Sequence, residues 1–494
     1  MSEQKPANRL LEKRRSGLIL HPTSLPGPGK VGRIGTAALR FLDWLEEAGF
    51  SVWQLLPVNP PQADGSPYAC ISAFAGDTRL IDPEGMVRKG WLRSAATRAP
   101  VGQALSEARL ALESSRGAGW DEYHAFCEAQ SDWLEDFALF VVTKRLQGNR
   151  PWWTWPAPLV HRDPRRLEQL RAETAEALDA VRFGQFVFFQ QWNDLRREAN
   201  DRDILLLGDM PIFVAHDSAD VWANRENFDL DKAAQPRTVA GVPPDYFSET
   251  GQRWGNPHYR WDSMAQNGYD WWLRRIGWAL EGLDALRIDH FRGFEAYWSI
   301  PAEEPTAIAG EWRPGPGAGF FDALLKHFGE LPLLAEDLGV ITPEVTALRM
   351  RFGMPGMKIL QFAFDGSEDN PYLPENHEEL GVVYTGTHDN DTTVGWFESL
   401  PQDTRARVLD RLGEPDSAMP WALIRAAMQS PARLAVIPMQ DALGLDGRHR
   451  MNTPGTSEGN WRWRFAWENI PPERAGELRR MNEAADRIPP GTDL

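Results

Sequence analysis

Three stretches of the chain end an apolar run on acidic side chains. In Leu286-Arg287-Ile288-Asp289-His290-Phe291-Arg292-Gly293 the carboxylate of Asp289 stands between two arginines. Arg287 lies two positions earlier, so on a strand both side chains face the same way. A guanidinium that close favours the ionised carboxylate, which is what a nucleophile needs near neutral pH. In Leu333-Leu334-Ala335-Glu336-Asp337-Leu338-Gly339 the glutamate follows apolar residues. That setting favours the protonated form, as a general acid requires. Tyr384-Thr385-Gly386-Thr387-His388-Asp389-Asn390-Asp391 supplies a third carboxylate, Asp389, beside a histidine. Two carboxylates of opposite protonation preference are the minimum apparatus for cutting a glycosidic bond. At a separation of roughly 5–5.5 Å they retain the anomeric configuration by double displacement. A third carboxylate can steady the positive charge that builds on the sugar ring.

The same residues have a rival use. His388 with Asp389, and His290 with Asp289, could ligate a metal. But the chain has only 10 histidines, no His-x-His pair and no His-Glu-x-x-His helix. Catalysis without metal or cofactor is therefore expected.

Such groups must be carried to one place by regular elements. Short apolar runs at 17–21, 51–58, 204–208, 285–289, 331–337, 357–364, 381–386 and 434–439 read as strands. Amphipathic stretches at 36–48, 269–280 and 342–352 read as helices between them. The first places Ala38, Phe41, Leu42 and Leu45 on one stripe, and Gly49 ends it. Strands alternating with helices predict a parallel α/β sheet. Asp209, Asp289, Glu336, His388 and Asp389 all fall at strand ends. That is the signature of a (β/α)8 TIM barrel, whose active site is built on the carboxyl ends of its strands.

Two intervals interrupt the alternation. Residues of about 82–203 read as mainly helical inserted subdomains, with helices at 103–113, 120–146 and 165–199. The stretch of about 228–262, rich in Gly, Pro and aromatics, reads as an irregular insert, and long irregular loops in compact folds are usually functional. The expected organisation is one catalytic barrel over residues 1–494 bearing these two inserts, with no C-terminal β-sandwich.

Composition narrows the setting. With 53 Lys and Arg against 70 Asp and Glu, the formal charge is −17, which disfavours nucleic acid and anionic membranes as partners. No apolar run has the length of a membrane span, and the first fifteen residues lack the apolar centre of a signal peptide. Two cysteines cannot form a disulfide framework, so a cytoplasmic location is expected. The 22 tryptophans against 8 tyrosines are out of line. Trp fills cores, and its flat face also stacks on sugar rings.

The motifs then add up to a family. SGLILHPTSLPGPGKVGRIG, SVWQLLPVNP, DGSPYACISAFAG, GDMPIFVAHDSADVW, VAGVPPDYFSETGQRWGNPHYRW, ALRIDHFRGF, LLAEDLGVIT, YTGTHDNDT and NTPGTSEGNWRWR run through nearly the whole chain. In them the chain resembles glycoside hydrolase family 77, the 4-alpha-glucanotransferases or amylomaltases. The resemblance implies Asp289 as nucleophile, Glu336 as acid/base and Asp389 as transition-state stabiliser. It implies Arg287 and His388 beside the donor sugar, Asp209 of the first shared acidic segment among the sugar-binding residues, and Tyr68 as an aromatic platform. Asp245, Tyr246, Phe247 and Trp254 would face glucan from a loop over the cleft, and Asn460 would belong to a C-terminal sugar-binding motif. The implied reaction moves an α-1,4-glucan segment to the 4-hydroxyl of another glucan or of glucose, with linkage type conserved and no cofactor. The alternatives are an α-amylase-like hydrolase, a glucan-binding protein without chemistry, and a metal-dependent hydrolase.

Overall fold

Side-chain alternation along the strands decides which residues meet inside the sheet. The computed structural model of the chain describes residues 9–244, 248–414, 418–456 and 458–488. Through them run β1 (Arg15–Ile19), β2 (Val52–Gln54), β3 (Leu205–Pro211), β4 (Thr238–Val242), β5 (Gln252–Pro257), β6 (Ala285–Asp289), β7 (Ala296–Pro301), β8 (Glu311–Pro314), β9 (Leu333–Ala335), β10 (Gly356–Ile359), β11 (Gly381–Tyr384) and β12 (Leu434–Pro438). Eight of them form one sheet in the order β10-β11-β12-β1-β2-β3-β6-β9. Every pairing within it is parallel. The two end strands meet where the Ala335 N–H donates to the Pro355 carbonyl at 2.9 Å, which draws the sheet into a barrel.

The barrel interior is packed by Ile19, Val52, Leu205, Leu207, Ala285, Leu334, Met357, Ile359, Val382, Tyr384, Leu434 and Val436. The residues between them, such as Leu18, Trp53, Leu206, Leu286, Ile288, Val383 and Ile437, pack outward under the helices. Both faces are thus buried, which is why these strands read as unbroken apolar runs. The period of two carries inward-facing positions on to the polar strand ends. Leu205 and Leu207 lead to Asp209, Ala285 leads to Arg287 and Asp289, and Leu334 leads to Glu336.

The helix Thr36–Glu47 buries Ala38, Phe41, Leu42 and Leu45, the stripe read from the sequence, and Gly49 follows it at φ +78°. Between β2 and β3 the chain is helical, but two of its expected helices are each divided. Ala118–Ala129 and Ser131–Leu146 break at Gln130, and Pro164–Glu173 and Ala175–Asp201 break at Thr174, where φ and ψ leave the helical region. Apolar periodicity missed these breaks because the segments on either side pack into connected core.

A larger difference concerns residues 228–262, expected to be irregular. β4 and β5 cross this stretch and join β7 and β8 in a four-stranded antiparallel sheet, ordered β5-β4-β7-β8. Gly241 sits where strands approach closely, since a Cβ there would collide with the Gln252 carbonyl. Gly- and Pro-rich strands whose partners lie far along the chain carry little local signal. The run expected as a strand over 357–364 ends at Ile359 and passes into a 3₁₀ turn, Leu360–Phe362.

Candidate active site

The carboxyl ends of β3, β6, β9 and β11 open into one cleft. The register of β6 on β9 pairs Arg287 with Leu334 and Ile288 with Ala335. One further step sets Asp289 beside Glu336. Three bonds stitch the two strand ends together beyond that pairing. The Glu336 N–H donates to the Ile288 carbonyl at 3.0 Å, and the Phe291 N–H donates to the Glu336 carbonyl at 3.2 Å. The His290 N–H donates to the Glu336 carboxylate at 2.7 Å.

Arg287 is the charge at the floor of this cleft. Its Nη1 donates to both oxygens of Asp209, at 2.7 and 2.6 Å, and its Nη2 lies 3.0 Å from Asp289 Oδ1. Burial disfavours the cation, but Asp209 and Asp289 hold its pKa well above the ordinary value. The Asp289 side chain is 29% exposed, whereas that of Asp209 is completely covered. Asp209 therefore does not face the cleft, although the resemblance placed it among the sugar-binding residues. It holds Arg287, and it accepts the Tyr68 hydroxyl at 2.8 Å.

Burial changes the expected electrostatics of Asp289. Burial pushes this carboxyl up to about 6; Arg287 opposes the shift, and Asp209 and Asp389 reinforce it. The sequence reading had Arg287 prevailing. It does not prevail because burial outweighs it, and the charges of Asp209 and Asp389 add to burial. Burial also pushes Glu336 up, to about 7, with Arg287 opposing and Asp289 adding to the rise. The His290 and Leu338 N–H groups, at 2.7 and 3.1 Å, temper it. Burial is thus the largest cause at both groups, and it favours the protonated form of each.

The third carboxylate is held differently. Burial alone would raise Asp389, but His388 at 3.4 Å and the Asn452 amide at 2.7 Å keep it well below the usual range. Burial likewise disfavours the His388 cation, and Asp389 reverses that, so its pKa is raised. The loop carrying both is pinned by Asp441, which accepts from the hydroxyls of Thr385 and Thr393 and from the Thr393 N–H, each at 2.7 Å. Tyr68 stacks on His388 with ring centres 5.2 Å apart, and Trp461 tilts against both, which gives the cleft an aromatic wall.

The remaining expected residues divide. Trp254, on β5, is 39% exposed and meets the ring of His290, the residue after Asp289, edge-on at 4.8 Å. Asp245, Tyr246 and Phe247 lie outside the described residues. Asn460 touches none of the three carboxylates. Its amide accepts from the Thr453 N–H and donates to the Thr456 carbonyl, bracing the turn after Asn452. The sequence reading missed Asn452, Arg450, whose guanidinium donates to the Asp389 carbonyl at 2.6 Å, and Asp441. Asn452 opens the NTPGTSEGNWRWR motif that drew attention to Asn460 eight residues later, so that motif held the signal. Among the described residues no group of three or more His, Cys, Asp or Glu side chains is gathered as a metal ion would need.

Comparison with known proteins places this arrangement. The 4-alpha-glucanotransferase family model matches residues 20–469. A 4-alpha-glucanotransferase of Thermus thermophilus is 48% identical over 496 residues, covering 96% of this chain and 99% of that protein. One from Synechocystis is 45% identical over 502 residues, covering 97% and 99%. Among solved structures, amylomaltase from Streptococcus agalactiae in complex with acarbose superposes with a TM-score of 0.93 at 34% identity, covering 97% of this chain and all of that one. With nearly its full length matched, the chain belongs to the 4-alpha-glucanotransferases of glycoside hydrolase family 77.

Proposed function

We propose that this glucanotransferase works by double displacement through a covalent glucosyl–Asp289 ester. Asp289 attacks the anomeric carbon of an α-1,4-linked glucan while Glu336 gives its proton to the departing oxygen. Glu336, now a base, takes the proton from the 4-hydroxyl of an acceptor glucan or glucose as that oxygen displaces Asp289. Asp389, kept ionised by His388 and Asn452, stabilises the oxocarbenium-like transition state. Arg287 and His388 hold the donor sugar, Tyr68 supplies a stacking face, and Asp209 positions Arg287 and Tyr68. The observation that carries this reading is the stitching of β6 to β9, which sets Asp289 and Glu336 side by side over one cleft.

The acceptor must outcompete water. Trp254, with Asp245, Tyr246 and Phe247 nearby in sequence, would stack an acceptor sugar and keep solvent out, giving the hydroxyl a high effective concentration. The substrates are maltooligosaccharides and other α-1,4-glucans, and the enzyme needs no cofactor. A cytoplasmic setting fits Cys70 and Cys127, both free thiols. No helix among the described residues is long and apolar enough to cross a membrane.

Incubation with maltotriose tests the proposal. A ladder of longer glucans together with glucose is expected; shorter sugars alone would mean hydrolysis, and binding without products would mean a protein that has lost its chemistry.

A further inference from the structure

His290 follows Asp289 directly, and two separate elements of the site meet on it. Its backbone is left-handed, at φ 54° and ψ 49°. A side chain with a Cβ adopts that conformation at a cost, and such strain persists where its surroundings over-determine it. In an extended strand successive N–H groups point to opposite sides. At this turn the N–H groups of His290 and Phe291 both reach Glu336, one its carboxylate and the other its carbonyl. The imidazole meets Trp254 of β5 edge-on, with ring centres 4.8 Å apart. Gly293 leaves room for it, since a Cβ there would lie 3.2 Å from His290 Cδ2. The ring atom Nε2 is covered and has no hydrogen-bond partner among the described residues. Burial first, and Arg292 second, push the imidazole down to about 3, so it stays neutral and moves no proton near neutral pH.

We infer that His290 is a positioning residue that links the Trp254 platform to the Glu336 carboxylate. Its left-handed backbone aims an N–H at Glu336, and its ring seats Trp254. The inference rests on the reading of Glu336 as acid/base and of Trp254 as the acceptor face. One residue thereby fixes both the base that deprotonates the acceptor and the surface on which the acceptor lies. The other groups around Glu336 are Arg287 and Asp289 on β6, the Leu338 N–H, and Tyr372 from the segment before β11. Asp337, next in sequence, is engaged instead by Arg349 at 3.1 Å and by the Met357 N–H at 2.7 Å.

Substitutions that separate backbone from ring test this. Glycine and asparagine accept the left-handed conformation and remove the imidazole. His290→Gly and His290→Asn should lower the transfer-to-hydrolysis ratio several-fold and leave the alkaline limb of kcat/KM in place. Valine resists the left-handed turn. His290→Val should also move the alkaline limb up by about one pH unit, because a donated N–H stabilises the carboxylate anion and its loss raises the Glu336 pKa. Thermal unfolding checks that each variant folds, and His290→Ala, a milder mismatch, stands in for an unfolded valine variant with a smaller shift of the same sign. An unchanged product ratio in the glycine and asparagine variants overturns the role of the ring. A fixed alkaline limb in the folded valine or alanine variant overturns the role of the backbone. Glu336→Gln, assayed alongside with an activated glucosyl fluoride, reports on the acid/base assignment by itself.

Discussion

Glu336 lies opposite Asp289 across β6 and β9, one step beyond their last register pair, and its own N–H is bonded to the carbonyl of Ile288, the residue before Asp289, at 3.0 Å. Backbone pairing, rather than a flexible loop, thus sets the two residues side by side. The His290 and Leu338 N–H groups then hold the Glu336 carboxylate at 2.7 and 3.1 Å, and on the proposed mechanism preorganisation of this kind would lower the cost of reaching the transition state.

Removing either member separates the two roles. Asp289→Asn should lower kcat on maltotriose by about 10⁴-fold or more, since no ester can form. Glu336→Gln should be similarly slow on maltotriose, yet should recover ester formation from glucosyl fluoride, whose leaving group needs no proton. Substantial glucose release by the Asp289 variant would refute the nucleophile assignment, and absence of rescue would refute the acid assignment.

The pH profile of kcat/KM should be a narrow bell. Asp289 must be ionised to attack, so the rate falls as pH drops through about 6. Glu336 must be protonated to assist departure, so the rate falls as pH rises through about 7. The limbs belong to the interacting pair rather than to either residue alone. Asp389, held low, stays ionised throughout. In Glu336→Gln with the fluoride donor the alkaline limb should vanish; its persistence would assign it to another group.

Trp254 offers a partly exposed ring against His290, the residue after Asp289. Trp254→Ala should leave ester formation nearly intact and lower the transfer-to-hydrolysis ratio by about tenfold, as water gains access to the intermediate. Product analysis at fixed maltotriose checks this, and an unaltered ratio would remove Trp254 from acceptor binding.

Far from the cleft, Arg487 is completely buried. It donates to the carbonyls of Arg15, Met428, Ser430, Ala432 and Arg433 at 2.6–3.1 Å, tying the last described segment to β1 and to the approach to β12. Burial, with Arg14 adding to the effect, pushes its pKa down to about 9. Arg487→Met would leave these acceptors without their donor and should cost about 2–4 kcal/mol. A urea midpoint equal to that of the parent would show that the clamp carries no stability.

The sequence by itself determined the eight apolar strands, the stripe on Thr36–Glu47 and the carboxylates at the strand ends. These follow from local periodicity, and burial of both sheet faces makes that signal strong. Its motifs also determined the family. Tertiary structure decided what depends on distant partners. Burial, with the charges of Asp209 and Asp389 brought in by other strands, outweighs Arg287 at Asp289. The sealing of Asp209 turns it from a sugar contact into a support. The pairing of β4 and β5 with β7 and β8, and the bond from Asn452 to Asp389, join segments with no local pattern in common. Side-chain type states what a residue can donate or accept, whereas the neighbours that compete for that capacity are assembled only when the barrel closes.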